Sequence, residues 1–349
     1  MNFNRKRYNK HKQDYNVSMP TDSRRQIEGG TLMRKKEKSI RTRRDRPFRT
    51  FCDQWLWMQQ SQVRPSTYAH YGMVLERHIK PTLGELRPAA LNAQAVAAFK
   101  QALLAQGLAA KTVKDILVIL RSILLFTGKE VPDELPVIEI KYPRVAKKDV
   151  RVLSVEEQGR LSAYLWQDLD CCKFGVLLAL MTGLRLGELC AMRWKDISLR
   201  DRTLQVSSTI LRLPNPEDPA QKTRLVVGCP KSDTSARIIP LSEGAVRLCN
   251  AIGVRDASAY LLTGTEHYME PRTLQYRMEK YAKSCALEKV HFHTLRHTFA
   301  TRCVEAGFEI KSLSEILGHS STGITMDRYV HSSMALKRAN MDKLSAVGL

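Results

Sequence analysis

The sequence predicts a mainly α-helical protein with a small β component, built as a helical first domain and a mixed α+β second one. Three observations carry that reading. Apolar residues recur at helical spacing along much of the chain, as in Val113, Ile116, Leu117, Leu120, Ile123 and Leu124. Strand-like patterning is confined to one stretch, in segments 203–210, 224–227 and 236–239 separated by turn-rich sequence. A chain of 349 residues, 43% of them hydrophobic, is long enough for two cores, and a proline-punctuated stretch at 129–150 divides it.

Taken in order, residues 1–46 are rich in Arg, Lys, Asn and Gln, with clusters at Arg5-Lys6-Arg7, Arg34-Lys35-Lys36 and Arg41 to Arg46. They lack apolar periodicity and make no core of their own, which reads as a disordered basic arm able to neutralise phosphates; a solvated tail or a localisation signal is the plainer alternative. Residues 47–128 carry four helix signals. They are Phe48 to Gln60, Ser66 to Ile79 opening after Pro65, Asn92 to Gln106 with Asn92 as cap and Gly107 as stop, and Ala110 to Phe126 closed by Gly128. The stretch 129–150, with Pro132, Pro136, Pro143 and Lys147-Lys148, reads as a linker.

The second domain, 151–349, opens where Ser154 and Glu157 form a capping box ahead of a helix. Helical periodicity continues from Phe174 to Trp194 with a break at Thr182-Gly183, then come the strand segments, and after Leu241 the pattern is helical again.

Composition bounds the function. A formal net charge of +21 fits a surface built for a polyanion, with nucleic acid ahead of an anionic membrane. No stretch approaches the ~18 apolar residues that span a bilayer, and Met1 to Lys10 has no apolar signal core, so a soluble, cytoplasmic protein is expected. The eight cysteines show no CxxC pairing and read as buried thiols, not disulfides or metal ligands.

Four segments of the second domain place polar groups at the edges of apolar elements. Arg185, after the Thr182-Gly183 break, opens a helix, where a guanidinium and a helix amino terminus would both attract an anion; a surface pair with Glu188 three residues on is the alternative. Lys231 stands in the turn-rich approach to the strand ending at Ile239-Pro240, where a lone lysine is usually only solvated. His293 and Arg296, three apart, share one helix face and can hold one phosphate together. His293 and His297, four apart, invite a zinc reading that lacks the Glu of HExxH. His319 follows Gly318 after an apolar helix, and Tyr329 lies ten residues on, where a tyrosine is ordinarily a packing residue.

Together, in this order, the residues resemble the signature of the tyrosine recombinase (phage integrase) family. Thr182 to Leu189 resembles its first arginine box, His293-Thr294-Leu295-Arg296-His297 its second, and Leu317-Gly318-His319 with Tyr329 its final element. Lys231 corresponds to the family's hairpin lysine, and residues 47–128 resemble its SAM-like core-binding domain. The resemblance implies a core-binding domain and a catalytic domain closing as a clamp on duplex DNA. It also implies site-specific recombination by a homo-tetramer on synapsed DNA, integrating and excising a mobile element with an excisionase or a host DNA-bending factor as further partners. The implied roles are Tyr329 as nucleophile, Arg185 and Arg296 on the non-bridging oxygens, and His293 and His319 as donors or proton managers. Lys231 would act as the acid for the 5′ oxygen, and Glu188 as a support that positions Arg185 or a histidine. No cofactor or metal is implied. A type IB topoisomerase and a non-enzymatic DNA-binding regulator are the rival readings.

Overall fold

The computed structural model describes residues 45–146, 150–215, 221, 223–228, 235–253, 256–329, 338 and 341–342. The basic arm, Lys231 and most of the carboxyl-terminal stretch lie outside these residues. The chain divides into two units, one ending at Val145 and the other beginning at Ala146.

The first unit is a small helical bundle. Helix α1 (Phe48–Gln59) buries Phe48, Phe51, Cys52 and Trp55. Helix α2 (Pro65–Val74) starts on a proline, whose missing N–H would be unpaired at that position in any case. It runs on through a π turn at Leu75–Ile79 into one more helical turn, Lys80–Leu83. The wide turn falls just before Pro81, which cannot donate back along the helix, so the looser turn lets the chain continue past it. Helix α3 (Ala93–Ala105) is capped by Asn92, whose Oδ1 accepts from the Ala95 amide at 2.9 Å. Helix α4 (Ala110–Glu130) lays Val113, Ile116, Leu117, Leu120 and Ile123 into the core. Each such side chain is worth roughly 1.5–3 kcal/mol of burial. The helix passes through Gly128 instead of stopping there, because buried Val131 anchors the next turn and Leu135 packs over the glycine.

In the second unit, Ser154 and Glu157 form the reciprocal cap of α5 (Val155–Trp166), with amide-to-side-chain bonds of 3.1 and 2.9 Å. Helix α6 (Cys171–Thr182), capped by Asp170, is buried on nearly every side and runs through the middle of the core. The short α7 (Leu186–Ala191) follows. Strands β1 (Ile197–Ser198), β2 (Thr203–Val206) and β5 (Arg237–Pro240) make an antiparallel sheet in the order β1-β2-β5, with Leu204 opposite Ile239. A separate antiparallel pair, β3 (Thr209–Pro214) and β4 (Thr223–Gly228), sets Ile210 opposite Val227. The predicted strand 203–210 is therefore two strands in two sheets, parted at Ser207-Ser208.

Helices α8 (Glu243–Ile252), α9 (Pro271–Ser284), α10 (Phe292–Glu305), α11 (Ile310–Leu317) and α12 (Thr322–Tyr329) complete the unit. The stretch between α8 and α9 departs from the expected helical pattern: Ala259 and Leu261 are tied by backbone bonds to Trp194 and Met192. The mainly helical class with a small sheet component is what the sequence pattern predicts. Among the described residues no helix is long and apolar enough to cross a membrane, and the seven cysteines are free. Burial pushes the Cys52 and Cys190 thiols up to about 12, which leaves them inert at neutral pH.

Candidate active site

The site gathers where α11 ends. Three arginines donate to three successive carbonyls there: Arg237 Nε to Ile316 at 2.5 Å, Arg296 Nη2 to Leu317 at 2.6 Å, and Arg185 Nη2 to Gly318 at 3.0 Å. A helix carboxyl end presents unpaired carbonyls and partial negative charge, so guanidinium groups settle on it without a carboxylate. Arg296 is 2% exposed and spends its other Nη on the Gly183 carbonyl, at 2.8 Å, where α6 ends. Among the described residues no carboxylate lies within ion-pair distance of it. Desolvation, then the Arg185 charge, holds its pKa down at about 9.

Two glycines make this convergence possible. Gly183 turns the chain with φ +67°, and a Cβ there would sit 2.6 Å from Phe299 Cδ1 and 3.0 Å from Leu317 Cδ2. Gly187 lets α7 press against β3, since a Cβ would lie 2.7 Å from the Ile210 carbonyl.

Glu188, 3% exposed, is the single carboxylate that the described residues place among these cations. It takes Arg185 Nη1 at 2.7 Å and the Arg185 amide at 3.0 Å, and both Nη atoms of Arg237 at 3.1 and 3.0 Å. Burial alone would raise its pKa, but the Arg237 bonds and charge outweigh that and hold it below the ordinary range. Its partners are arginines; none of the hydrogen bonds it makes among the described residues goes to a histidine. Three guanidinium groups against one carboxylate leave an excess of positive charge, which an anion would balance.

Tyr329 closes α12 and is 5% exposed, packed on Ala300, Cys303, Leu313 and Leu317. Its hydroxyl lies 2.8 Å from His297 Nδ1, and its ring stacks on His319 with 7° between the planes. Desolvation raises its pKa against the opposing charges of Arg296 and Arg328. His319 Nδ1 is 2.8 Å from the hydroxyl of buried Thr325, and His293 meets His297 edge-on at 4.5 Å between centroids. All three histidines are held neutral, first by desolvation and then by neighbouring positive charge: His293 and His297 at about 4, His319 at about 3.

The structure thus brings Arg185, Glu188, Arg296, His319 and Tyr329 together, with His293 beside His297 at the exposed edge. Lys231 falls in the stretch between β4 and β5, outside the described residues. Two members of the cluster, Arg237 and His297, are not among the residues the sequence pattern assigns to the site. For Arg237 a signal existed: it alternates with buried Ile239 on β5, which puts an arginine on the inward face of a strand. Among the described residues no group of three His, Cys, Asp or Glu side chains is placed to hold a metal ion, so the zinc reading of His293 and His297 gains no third ligand.

A mainly helical unit that sets three arginines and one carboxylate beside a buried tyrosine has the chemistry to hold an anion such as a phosphodiester. The family model described as Phage integrase family matches residues 167–335, and that described as Phage integrase, N-terminal SAM-like domain matches residues 47–99. The ICEBs1 integrase of Bacillus subtilis (strain 168) is 22% identical over 321 residues, covering 88% of this chain and 85% of the relative. The Tn1549 transposon integrase, solved in complex with transposon right end DNA, superposes with a TM-score of 0.72 at 18% identity, over 86% of this chain and 99% of that one. A lambda integrase tetramer bound to a Holliday junction gives a TM-score of 0.58 at 19% identity, over 85% of this chain and 82% of that one. The chain belongs to the phage integrase family, the tyrosine recombinases, which cut and rejoin DNA.

Proposed function

We propose that Tyr329 is the nucleophile of a site-specific recombination reaction that integrates and excises a mobile element. The observation that carries this reading is the convergence of Tyr329, Arg296 and Arg185 on the end of α11, where Tyr329 packs with Leu317 and the two arginines hold the Leu317 and Gly318 carbonyls. Attack of the phenol on a phosphodiester gathers charge on the non-bridging oxygens, and forked donors from Arg185 and Arg296 meet it. His293 and His319 add neutral donors to the same site. Lys231 gives a proton to the departing 5′ oxygen, and the bond energy is kept as a 3′-phosphotyrosine until a 5′-hydroxyl reverses the step. Glu188 stays clear of the phosphate and positions Arg185.

Two duplex DNA sites, a homo-tetramer on the synapsed pair, and an excisionase or host DNA-bending factor are the partners proposed, in the cytoplasm. The tetramer has support in the lambda integrase assembly on a Holliday junction, and the mobile element in the Tn1549 integrase on transposon end DNA.

The test is covalent capture on a pool of nicked duplexes of randomised sequence, followed by strand transfer between two copies of a captured site. A denaturation-resistant adduct that is lost in Tyr329→Phe, together with exchange between partners, supports recombination. Relaxation of supercoils without exchange would make it a topoisomerase, and binding without an adduct a regulator. Because the site's own arginines supply the positive charge, adduct formation is expected to persist in excess chelator. Loss in chelator with recovery on adding magnesium or zinc would refute the metal-free mechanism.

A further inference from the structure

The geometry points to His297 as the group that takes the phenol proton of Tyr329 during attack and returns it during rejoining. This rests on Tyr329 being the nucleophile. Of the three histidines around the tyrosine, His297 alone presents a ring nitrogen to the hydroxyl, Nδ1 at 2.8 Å. His319 meets the tyrosine face to face and commits its Nδ1 to Thr325. His293 contacts the His297 ring, and no hydrogen bond joins it to Tyr329 among the described residues.

The direction of the bond follows from its surroundings. A neutral His297 with its hydrogen on Nε2 accepts at Nδ1 from the phenol 2.8 Å away, and the charge of Arg328, next to the tyrosine on α12, favours release of the phenol proton. The groups facing His297 are His293 and Arg296 on its own helix and Arg328 and Tyr329 on α12. Desolvation, with the charges of Arg328 and Arg296, keeps the ring unprotonated and able to accept in the DNA-free chain. An incoming phosphodiester brings negative charge into the same field and makes the ring a stronger base as the reaction begins.

The step balances. The phenol O–H bond breaks and its proton goes to His297 Nδ1, while the oxygen's electron pair forms the bond to phosphorus. The P–O5′ bond breaks, and the 5′ oxygen leaves with a proton from Lys231. Rejoining runs the same transfers backwards, and no other reactant is needed.

The experiment uses a captured duplex resynthesised with a 5′-bridging sulfur. Sulfur departs without an acid, so the Lys231 contribution drops out and the nucleophile's side is isolated. Adduct formation is followed against pH for the wild-type protein, His297→Asn and Tyr329→Phe. Asparagine can still bond the hydroxyl but cannot take the proton. Wild-type cleavage is expected to be level from about pH 6 to 8, whereas His297→Asn is slower by ~10²–10⁴-fold at neutral pH. The variant should regain about tenfold per pH unit as the phenol ionises to solvent instead. Gel-shift binding and the melting temperature should stay near wild type.

An equal rate in His297→Asn, or a slowing that is uniform across pH, would overturn the inference, the latter by making His297 only a holder of the phenol. A wild-type rate that climbs tenfold per unit through neutrality would overturn it without any variant. An adduct that survives in Tyr329→Phe would remove the nucleophile itself, a failure distinguishable from the others because it appears in that protein alone.

Discussion

A guanidinium that holds two helix-terminal carbonyls is a cross-link, and Arg296 has that place in the fold beside the catalytic role proposed for it. Arg296→Ala is expected to slow adduct formation by ~10²–10³-fold. It should also lower stability by roughly 1–3 kcal/mol, since the buried Gly183 and Leu317 carbonyls lose their donors. Arg185→Ala, at a partly exposed position, should show the kinetic loss with a smaller stability change. Urea melts beside cleavage rates separate the two effects, and an unchanged midpoint for Arg296→Ala would refute the cross-link. The histidines add a pH dependence of definite sign. Their folded pKa values of about 3 to 4 lie below the unfolded value of about 6.5, so the unfolded chain binds more protons between those limits. Stability is therefore full above about pH 6.5 and lost progressively as pH falls toward 4. Melting temperature should drop between about pH 7 and 5, and His319→Gln should flatten that slope. A drop of equal steepness in the variant would exclude His319 as a contributor. The spacing of His293 and Arg296 and the Leu-Gly-His element are visible in the sequence because they are local. Arg237 and His297 act through partners 49 to 79 and 32 residues away, and no short window contains those contacts.

At the scale of elements, the end of α6 sets the arginine that follows and the carbonyl that Arg296 holds. Gly183→Ala meets both a left-handed backbone and a ring carbon at 2.6 Å, whereas Gly307→Ala meets only the backbone strain, with nothing within 4 Å. Gly307→Ala should cost about 1 kcal/mol and Gly183→Ala clearly more, with adduct formation reduced in the second alone. Calorimetric melts and cleavage rates check this, and equal costs would mean that Phe299 simply yields. Helices were legible because a cap such as Asn92 or Ser154 and a 3.6-residue stripe are written in adjacent residues. The strands were not, because whether Thr203 to Ile210 is one strand or two depends on β5 and β4, which follow later in the chain. Gly128 misleads for the same reason: the helix runs on because of what packs against its next turn.

For the molecule as a whole, the excess of positive charge predicts binding governed by counterion release. Deleting residues 1–46 should flatten the fall of log K with log salt, and an unchanged slope would mean that the arm does not touch DNA. Charge was the large-scale feature most readable in advance, since composition does not depend on contacts. The arginines on the end of α11 carry a further consequence. A free arginine side chain holds about 2 kcal/mol of rotamer entropy. Arg185, Arg237 and Arg296 have surrendered theirs to the Gly318, Ile316 and Leu317 carbonyls during folding. A phosphate entering the site therefore meets donors that are already stationary, and the ordering usually charged to the moment of recognition has been met by the fold itself.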